Sequence, residues 1–428
     1  MSHPDSPPAL LVADQDGKIS DFPDLHMAGM SNGTYFLPTP EDLIPLPEGS
    51  ELFTLPARLP VGWDPLTDEP VLVDKNPHRG NNSVQAVAAF MAPAHTTIFT
   101  SAYQTEDKAP LLPLFAYSAV GWHKGKFWVA GFRSDNDVRQ DISQYQGSTV
   151  DKLTKKKLVE YPNNRLIQHL GKCCLVYGCP AARNFFLNRW EAPLPSSPQC
   201  NARCLGCISL QPSGCCPSTQ ERITFVPTAV EISEMAINHL KSAARPIVSF
   251  GQGCEGEPLL QADTLSKAIQ LIRRKTVRGT INLNSNSSLP DGVELLVKSG
   301  LDSLRVSLNS AQKIYYDHYY RPKGYCFDDV LRSIDIMKTN DRFVSLNYFI
   351  LPGFTDTMQE FESLSVLIEN HHPDFIQLRN LNMDPEYYFK SLLFSKDSTP
   401  LGIRTWLSLL KKQFPYLRFG YFNPEVNI

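Results

Sequence analysis

One cysteine loop has the residue types and the spacing to bind a metal cluster. Cys200, Cys204 and Cys207 follow one another as C-x3-C-x2-C, and no fourth cysteine completes the set nearby. Three thiolates can bind three irons of a 4Fe–4S cube and leave the fourth iron free to bind a substrate or cofactor. The alternative is a structural zinc site, which usually takes four closed ligands, often as paired C-x2-C units. The spacing therefore favours an iron–sulfur cluster.

Composition and charge indicate a globular chain with reduced thiols. The 428 residues are 42% hydrophobic and 20% charged, which allows a sizeable core. The net charge of −3 argues against nucleic-acid binding that relies on bulk positive charge. Residues 1–8 lack the features of a signal peptide, and no apolar run approaches the ~18–20 residues that span a bilayer. We therefore expect a cytoplasmic protein without a membrane partner, whose ten cysteines are thiols and metal ligands.

The chain changes character near residue 160. Before it, short β-rich stretches alternate with turn signals, including a hairpin that turns at Lys124-Gly125. After it, helical patterns begin. The spacing of the apolar residues then changes repeatedly between the period of a strand and the period of a helix. We predict an N-terminal β-rich extension over residues 1–165, a core over 166–390, and a C-terminal helix and strand over 391–428 that close the core.

Beyond residue 188, predicted strands alternate with predicted helices. Thr228 and Glu231 form a capping-box signature that opens one of these helices. About six such β/α units build a parallel sheet with right-handed crossovers, which either curls into a full or partial barrel or stays open and doubly wound. In both cases ligands collect at the carboxyl ends of the strands. The predicted strands are one just before residue 200 and those over 246–250, 280–283, 304–308, 343–351 and 375–378.

Small and polar residues follow these predicted strands at the end where ligands collect. The loop after the second strand is rich in glycine, so its backbone can turn tightly and approach a ligand closely. Polar side chains at the same end of successive strands, next to a cluster motif, predict one binding site. The candidate residues are Gly256, Glu257 and Pro258 after the second strand, Asn284 and Asn286 after the third, Ser307 and Arg321 after the fourth, and Leu351 after the fifth.

Together these motifs resemble the radical S-adenosylmethionine (radical SAM) superfamily over roughly residues 193–382. The three-cysteine loop is similar to the cluster motif of that family. Gly256-Glu257-Pro258 looks like the end of its Gly-Gly-Glu-Pro motif, whose backbone receives the amino group of the methionine moiety. The resemblance also implies that the segment from 284 to 288, with Asn284 and Asn286, binds the ribose.

The resemblance extends to the later strands, with two departures. It implies that Ser307 and Arg321 hold the methionine carboxylate or the ribose, and that the backbone at Leu351 packs near the adenine. Glu255 stands where the family has the first glycine of its Gly-Gly-Glu-Pro motif. Gly206 stands before the third cysteine, where the family often has an aromatic residue. The adenine must therefore meet a different surface in this chain.

The resemblance implies an α/β enzyme built as a partial (β/α)6 TIM-like barrel, with the N-terminal β-rich extension covering its mouth and recognising substrate. Its cofactors would be a 4Fe–4S cluster on Cys200, Cys204 and Cys207 and S-adenosyl-L-methionine. A low-potential electron donor of the flavodoxin or ferredoxin type would drive reductive cleavage to a 5′-deoxyadenosyl radical, which abstracts hydrogen from a substrate. Peptide, protein and small metabolite all remain open as substrates. The rival functions are a non-catalytic iron–sulfur or electron-transfer protein on the same scaffold and a zinc-stabilised binding module.

Other cysteines flank the cluster loop. A second, auxiliary cluster built from them is one possibility, although adjacent cysteines rarely ligate one site and free cysteines are commonly buried as small apolar side chains. The sequence leaves these alternatives open. The residues concerned are Cys173, Cys174 and Cys179 upstream, and Cys215 and Cys216 downstream.

Overall fold

A computed structural model describes the chain in four segments and divides it into two compact units. The predicted domain bounds near residues 165 and 390 stay a prediction. The described segments are residues 3–145, 147–211, 220–395 and 399–426. The first unit comprises Met1–Asn136, Phe349–Ser363 and Leu378–Pro415, and the second comprises Asp137–Tyr348, Leu364–Gln377 and Tyr416–Ile428.

The N-terminal part of the first unit is antiparallel β-structure, as predicted. The turn at Lys124-Gly125 is confirmed, with φ of 46° and 77° at the two residues, and it joins β15 to β16. The strands are β1 (Ala9–Ala13), β2 (Ile19–Met27), β3 (Gly29–Ser31), β4 (Thr34–Phe36), β5 (Leu43–Pro45), β6 (Glu51–Leu55), β7 (Arg58–Asp64), β8 (Glu69–Leu72), β9 (Lys75–Asn76), β10 (Asn82–Ser83), β11 (Gln85–Phe90), β12 (His95–Thr97), β13 (Thr100–Ser101), β14 (Tyr103–Thr105), β15 (Val120–His123) and β16 (Lys126–Arg133).

The rest of the chain alternates helices and strands. None of the described helices is long and apolar enough to cross a membrane. The elements are α1 (Gly147–Glu160), α2 (Arg165–Leu175), α3 (Pro180–Phe186), β17 (Arg189–Pro193), α4 (Ala229–Ser242), β18 (Ala244–Phe250), α5 (Ala262–Arg273), β19 (Thr280–Ser285), α6 (Pro290–Ser299), β20 (Ser303–Leu308), α7 (Lys313–Tyr320), α8 (Phe327–Thr339), β21 (Phe343–Ile350), α9 (Met358–His371), β22 (Phe375–Asn380), α10 (Pro385–Leu392), α11 (Ile403–Gln413) and β23 (Arg418–Gly420).

A parallel sheet forms the centre of the second unit. Over the described residues it contains seven strands in the order β17 to β23, so each new strand is added beside the previous one. Strand β19 is buried along its whole length, as expected for a strand covered on both faces. The sheet curls into a half-barrel, which confirms the predicted α/β class and the partial TIM-like barrel. The seventh strand, β23, is the predicted C-terminal strand.

Asn423 shows that the sheet curls on itself. Its amide nitrogen donates to Glu191 of β17 at 2.7 Å and to Asn284 of β19 at 3.3 Å. Its amide oxygen accepts a 2.8 Å hydrogen bond from Gln377 of β22. One side chain can reach strands this far apart in the sheet order only from the concave face. The concave face is therefore lined in part by buried polar groups that are hydrogen-bonded to one another.

A buried histidine in α4 predicts a loss of stability in mild acid. His239 is 1% exposed, and its Nε2 lies 2.7 Å from the carbonyl oxygen of Trp190, to which a neutral ring protonated at Nε2 donates. Burial lowers the pKa of His239 from 6.5 to about 4. The unfolded state therefore binds more protons than the folded state between these values, so the stabilisation present above pH 6.5 is lost as the pH falls. We expect this side chain to lower the free energy of unfolding by up to about 3 kcal/mol across that window.

Urea denaturation from pH 7 to pH 4 tests this expectation. His239→Gln keeps an amide that can donate to Trp190 but does not titrate, so its unfolding free energy should fall less steeply than that of the wild type. Equal slopes for the two proteins would show that His239 does not carry this part of the pH dependence.

Candidate functional site

The three cysteines of the loop lie together after β17. Each is partly buried. Burial of the thiol, with a smaller contribution from Glu257, raises the pKa of Cys200 to about 11. Burial also raises the pKa of Cys204 well above its usual range, and the charges of Cys200 and Cys207 add to this effect. Cys200 and Cys204 therefore lie in a neighbourhood in which their thiolates are unfavourable unless a cation binds them.

The cysteine loop is joined directly to the loop that follows β18. The backbone N–H of Gly256 donates to the carbonyl oxygen of Ser197 at 2.6 Å, and that of Glu257 donates to Gln199 at 2.8 Å. A Cβ atom at Gly256 would lie 2.0 Å from the carbonyl oxygen of Gln199. A side chain at residue 256 is therefore incompatible with this junction, which explains the glycine.

Replacing this glycine is expected to break the junction. Gly256→Ala must push the backbone at Gln199 away, and we expect it to lower the free energy of unfolding by about 1–3 kcal/mol. Gly253→Ala in the same loop is the matched control, because its Cβ would meet the ends of two flexible side chains, Gln220 at 2.3 Å and Ile208 at 2.7 Å. Urea denaturation of both variants and iron content after reconstitution are the measurements. Equal loss in the two variants would contradict a specific role for residue 256.

Glu255 fixes the conformation of this junction. One carboxylate oxygen accepts hydrogen bonds from the N–H groups of Gly251 and Gln252 at 2.6 and 2.8 Å. The other accepts from Ser196, through N–H at 2.7 Å and Oγ at 2.9 Å, and from the N–H of Ser197 at 3.1 Å. Burial raises the pKa of Glu255 to about 7, and these donors oppose the rise. The residue that departs from the family motif is therefore a positioning residue that holds both loops.

Glu257 and Pro258 connect this loop to the segment after β19. The Glu257 carboxylate accepts hydrogen bonds from Ser285 Oγ at 2.6 Å, from the N–H of Asn286 at 2.9 Å and from the N–H of Leu259 at 3.0 Å. Pro258 begins a short 3-10 helix. The Glu257 side chain is thus fully engaged by the protein, so a ligand at this loop would meet its backbone rather than its carboxylate.

The segment after β19 also reaches the cysteine loop. Asn286 donates through its side-chain amide to the Asn201 side chain at 2.8 Å, and Asn201 donates to Ser288 Oγ at 2.9 Å. Within the described chain, two buried polar atoms here have no hydrogen-bond partner: Nδ2 of Asn284, near the end of β19, and Oγ of Ser287, in the segment that follows it. Buried polar atoms of this kind are normally satisfied, and a bound ligand is one way to satisfy them. This segment therefore fits a polar ligand such as a ribose.

The C-terminal end of α7 packs on the same cysteine loop. The N–H of Arg203 donates to Tyr320 at 2.8 Å, and the N–H of Leu205 donates to Tyr319 at 3.0 Å. Arg321 follows directly, in a left-handed backbone conformation with φ of 48°. Its side chain is exposed. The structure thus places the backbone of Arg321 next to residues that contact the cysteine loop, and the role of its side chain stays a prediction.

Ser307 and Leu351 are the candidate residues of the fourth and fifth predicted strands. Ser307 lies one residue before the end of β20 and is partly buried. Leu351 follows β21, belongs to the first compact unit, and donates its backbone N–H to Thr355 Oγ1 at 2.9 Å. The predicted contacts of both residues with a cofactor stay predictions.

Arg222 is a neighbour of the cluster cysteines that the sequence did not reveal. Its guanidinium donates to Cys207 Sγ at 3.5 Å, to Ser209 Oγ at 3.0 Å and to the carbonyl oxygen of Pro198 at 3.5 Å. Arg222 therefore connects Cys207 to Ser209 and to the residue that precedes the cysteine loop. No motif marks this arginine, because its contact with Cys207 depends on how the chain returns to the loop.

The cysteines considered for an auxiliary cluster have different surroundings in the described part of the chain. Cys174 lies in contact with Thr154, with its Sγ 3.3 Å from Oγ1 of that residue. Cys173 instead lies beside Cys254, and the hydrogen bond with that thiol, together with a smaller contribution from His169, lowers the pKa of Cys173 to about 5 against the opposing effect of burial. Cys215 and Cys216 lie outside the described residues. An auxiliary cluster that includes these two residues stays a prediction.

Comparison with known proteins identifies the family. Residues 194–364 match the model of the Radical SAM superfamily. No curated protein matches the sequence. Three solved structures are similar at low sequence identity. A radical SAM methyltransferase from Sphaerobacter thermophilus shows 13% identity and a TM-score of 0.37 over 54% of this chain and 66% of that chain, just under two thirds of its length.

The other two similar structures are a hydrogenase maturase and a synthase. The FeFe-hydrogenase maturase HydG from Carboxydothermus hydrogenoformans shows 14% identity and a TM-score of 0.37 over 64% of this chain and 71% of that chain. Methylornithine synthase (PylB) shows 14% identity and a TM-score of 0.40 over 67% of this chain and 74% of that chain. The segment 194–364 contains the cysteine loop and the loops after β18, β19 and β20. The chain therefore contains a radical SAM domain over residues 194–364, and the cofactors of that family are a 4Fe–4S cluster and S-adenosyl-L-methionine.

Proposed function

We propose that Cys200, Cys204 and Cys207 bind the 4Fe–4S cluster and that the loops after β18 and β19 bind S-adenosylmethionine beside it. The observation that carries this proposal is the junction between the loops, in which Gly256 and Glu257 donate backbone hydrogen bonds to Ser197 and Gln199 at 2.6 and 2.8 Å. This junction places the backbone expected to receive the methionine amino group against the loop expected to hold the open iron.

Cys200, Cys204 and Cys207 would hold the cluster, whose chemistry would be reductive cleavage of S-adenosylmethionine to a radical that abstracts hydrogen from the substrate. The protein supplies position and a dry environment. The carboxylates of Glu255 and Glu257 hold the two loops in place. Arg222 donates to the Cys207 sulfur at 3.5 Å and so helps to fix the position of this proposed ligand. The amide of Asn284 and the hydroxyl of Ser287 offer buried donors to the sugar.

The concave face of the sheet favours a substrate with polar groups. Glu191, Asn423 and Gln377 line this face in a chain of hydrogen bonds at 2.7 and 2.8 Å. Arg305 of β20 extends the chain by donating to Gln377 at 3.3 Å. Buried donors and acceptors of this kind fix the orientation of a bound molecule. Peptide, protein and small metabolite substrates all carry such polar groups. An electron donor of the flavodoxin or ferredoxin type fits the predicted cytoplasmic location.

Anaerobic reconstitution tests the proposed function. We expect about four irons per chain, and dithionite reduction with S-adenosylmethionine should give 5′-deoxyadenosine. A reduced cluster whose electron paramagnetic resonance spectrum does not respond to S-adenosylmethionine, and that gives no product, would favour the non-catalytic electron-transfer protein. A colourless protein that holds zinc instead of iron would favour the zinc-stabilised module. A response in the spectrum without product would identify an enzyme that waits for its substrate.

A further inference from the structure

A second group of metal-binding side chains lies outside the cysteine loop. One ligand atom from each of His169, Cys173 and Cys254 lies within 4.8 Å of the other two. Cys173 Sγ is 3.6 Å from His169 Nε2. Cys173 and Cys254 are 2% and 5% exposed, and His169 is partly buried. The group is therefore enclosed by protein, unlike the chance clusters of acidic residues that occur on surfaces.

Two elements that are distant in the sequence bring these residues together. His169 and Cys173 are four residues apart on α2, so they lie on the same face of that helix. Cys254 comes from the loop after β18, where its carbonyl oxygen accepts a 2.8 Å hydrogen bond from the N–H of Ile223. The adjacent Cys174 is also buried but contacts Thr154 instead. Of the two adjacent cysteines on α2, Cys173 is therefore the one that meets His169 and Cys254.

The ligand set is typical of a particular kind of cation. Two thiolates and one imidazole suit soft and borderline metals, and Zn²⁺ with three protein ligands keeps a fourth position for water or another ligand. Buried cysteines are often only small apolar side chains, but that explanation does not require a histidine nitrogen to face both sulfurs. We propose that His169, Cys173 and Cys254 bind a thiophilic divalent cation of the Zn²⁺ class, separate from the cluster cysteines.

Such a cation would stabilise the conformation of the loop that carries the Gly-Glu-Pro motif. Cys254 precedes Glu255, whose carboxylate holds the junction with the cysteine loop. A cation coordinated by Cys254 and by the two residues of α2 would link the start of this segment to a helix of the same unit. The cation therefore has a structural role, and it stabilises the folded state because the unfolded chain does not hold the three ligands together.

Anaerobic cobalt titration of the cluster-loaded protein tests this site. After excess metal has been removed with a chelator, we expect one equivalent of Co²⁺ to give thiolate charge-transfer bands and the intense d–d bands of a tetrahedral site, and Zn²⁺ to displace it. Cys173→Ser and Cys254→Ser should each abolish these bands. Cys174→Ser, which changes a buried cysteine of the same helix, should leave them unchanged. His169→Gln keeps both thiols and should weaken Co²⁺ binding, which covers the case in which a cysteine variant fails to fold.

The iron content separates this proposal from the proposed function. Each variant should retain about four irons per chain, because none of the changed residues lies in the cysteine loop. No cobalt bands in the wild type would overturn the proposal, as would bands that persist in Cys173→Ser. A disulfide between Cys173 and Cys254 in anaerobically prepared protein, mapped by mass spectrometry, would also overturn it.

Discussion

Changing Cys200, Cys204 and Cys207 together to alanine is expected to abolish the formation of 5′-deoxyadenosine. Iron content should fall from about four per chain to near zero, because all three proposed protein ligands of the cluster are removed. Burial raises the pKa of Cys200 to about 11, so this thiol is protonated in the metal-free loop at neutral pH and releases its proton when it binds the cluster. Iron and sulfide analysis, together with the deoxyadenosine assay, measure both effects.

Cys326→Ala is the matched control for this variant. Cys326 is also a partly buried free cysteine of the second unit, but it lies at the start of α8, where its thiol donates to Asp329 Oδ2 at 3.3 Å. We expect its iron content and product formation to equal those of the wild type. Iron retained by the triple variant would mean that other residues bind the cluster. Loss of iron in both variants would point to a general effect of removing cysteines.

Features that depend on a few consecutive residues could be predicted from the sequence. The capping box is one, since Glu231 donates its N–H to Thr228 Oγ1 at 3.2 Å and accepts from the N–H of Thr228 at 2.8 Å. The hairpin turn at Lys124-Gly125 is another, because positive φ at two consecutive residues is a local requirement. The alternation of strands and helices after residue 188 followed from the same local patterns, whereas the sequential order of the strands in the sheet was implied only by the family resemblance.

The supporting contacts of the site could not be predicted, because each joins residues that are distant along the chain. Ser196 is 59 residues from Glu255, and Asn286 is 85 residues from Asn201. Arg222 meets Cys207 only after the chain has left the loop and returned. An isolated acid, amide or arginine in a loop carries no periodic signal, so sequence patterns give its position in the chain but not its partner.

In the first unit, breaking a buried ion pair is expected to have the largest effect on stability. Arg58 and Asp384 are 2% and 3% exposed, and Nη2 of Arg58 lies 2.5 Å from Oδ2 of Asp384. Arg58→Met would leave the carboxylate buried without its cation, and Asp384→Asn would leave the guanidinium buried without its anion. We expect each change to lower the free energy of unfolding by about 3–5 kcal/mol, because removing one partner leaves an uncompensated buried charge.

The double variant separates the destabilisation caused by an unpaired buried charge from the stabilisation contributed by the ion pair. Asp384 also begins α10, where its other oxygen accepts from the N–H groups of Glu386 and Tyr387 at 3.0 and 3.2 Å. Asparagine retains this cap, so Asp384→Asn changes the charge alone. With both charges removed, Arg58→Met/Asp384→Asn should lose much less stability than the sum of the single variants. Urea denaturation of the four proteins gives this coupling, and an additive double variant would show that the two side chains act independently. Asp5→Asn, which changes an exposed ion pair with Lys124 in the same unit, should cause no comparable loss.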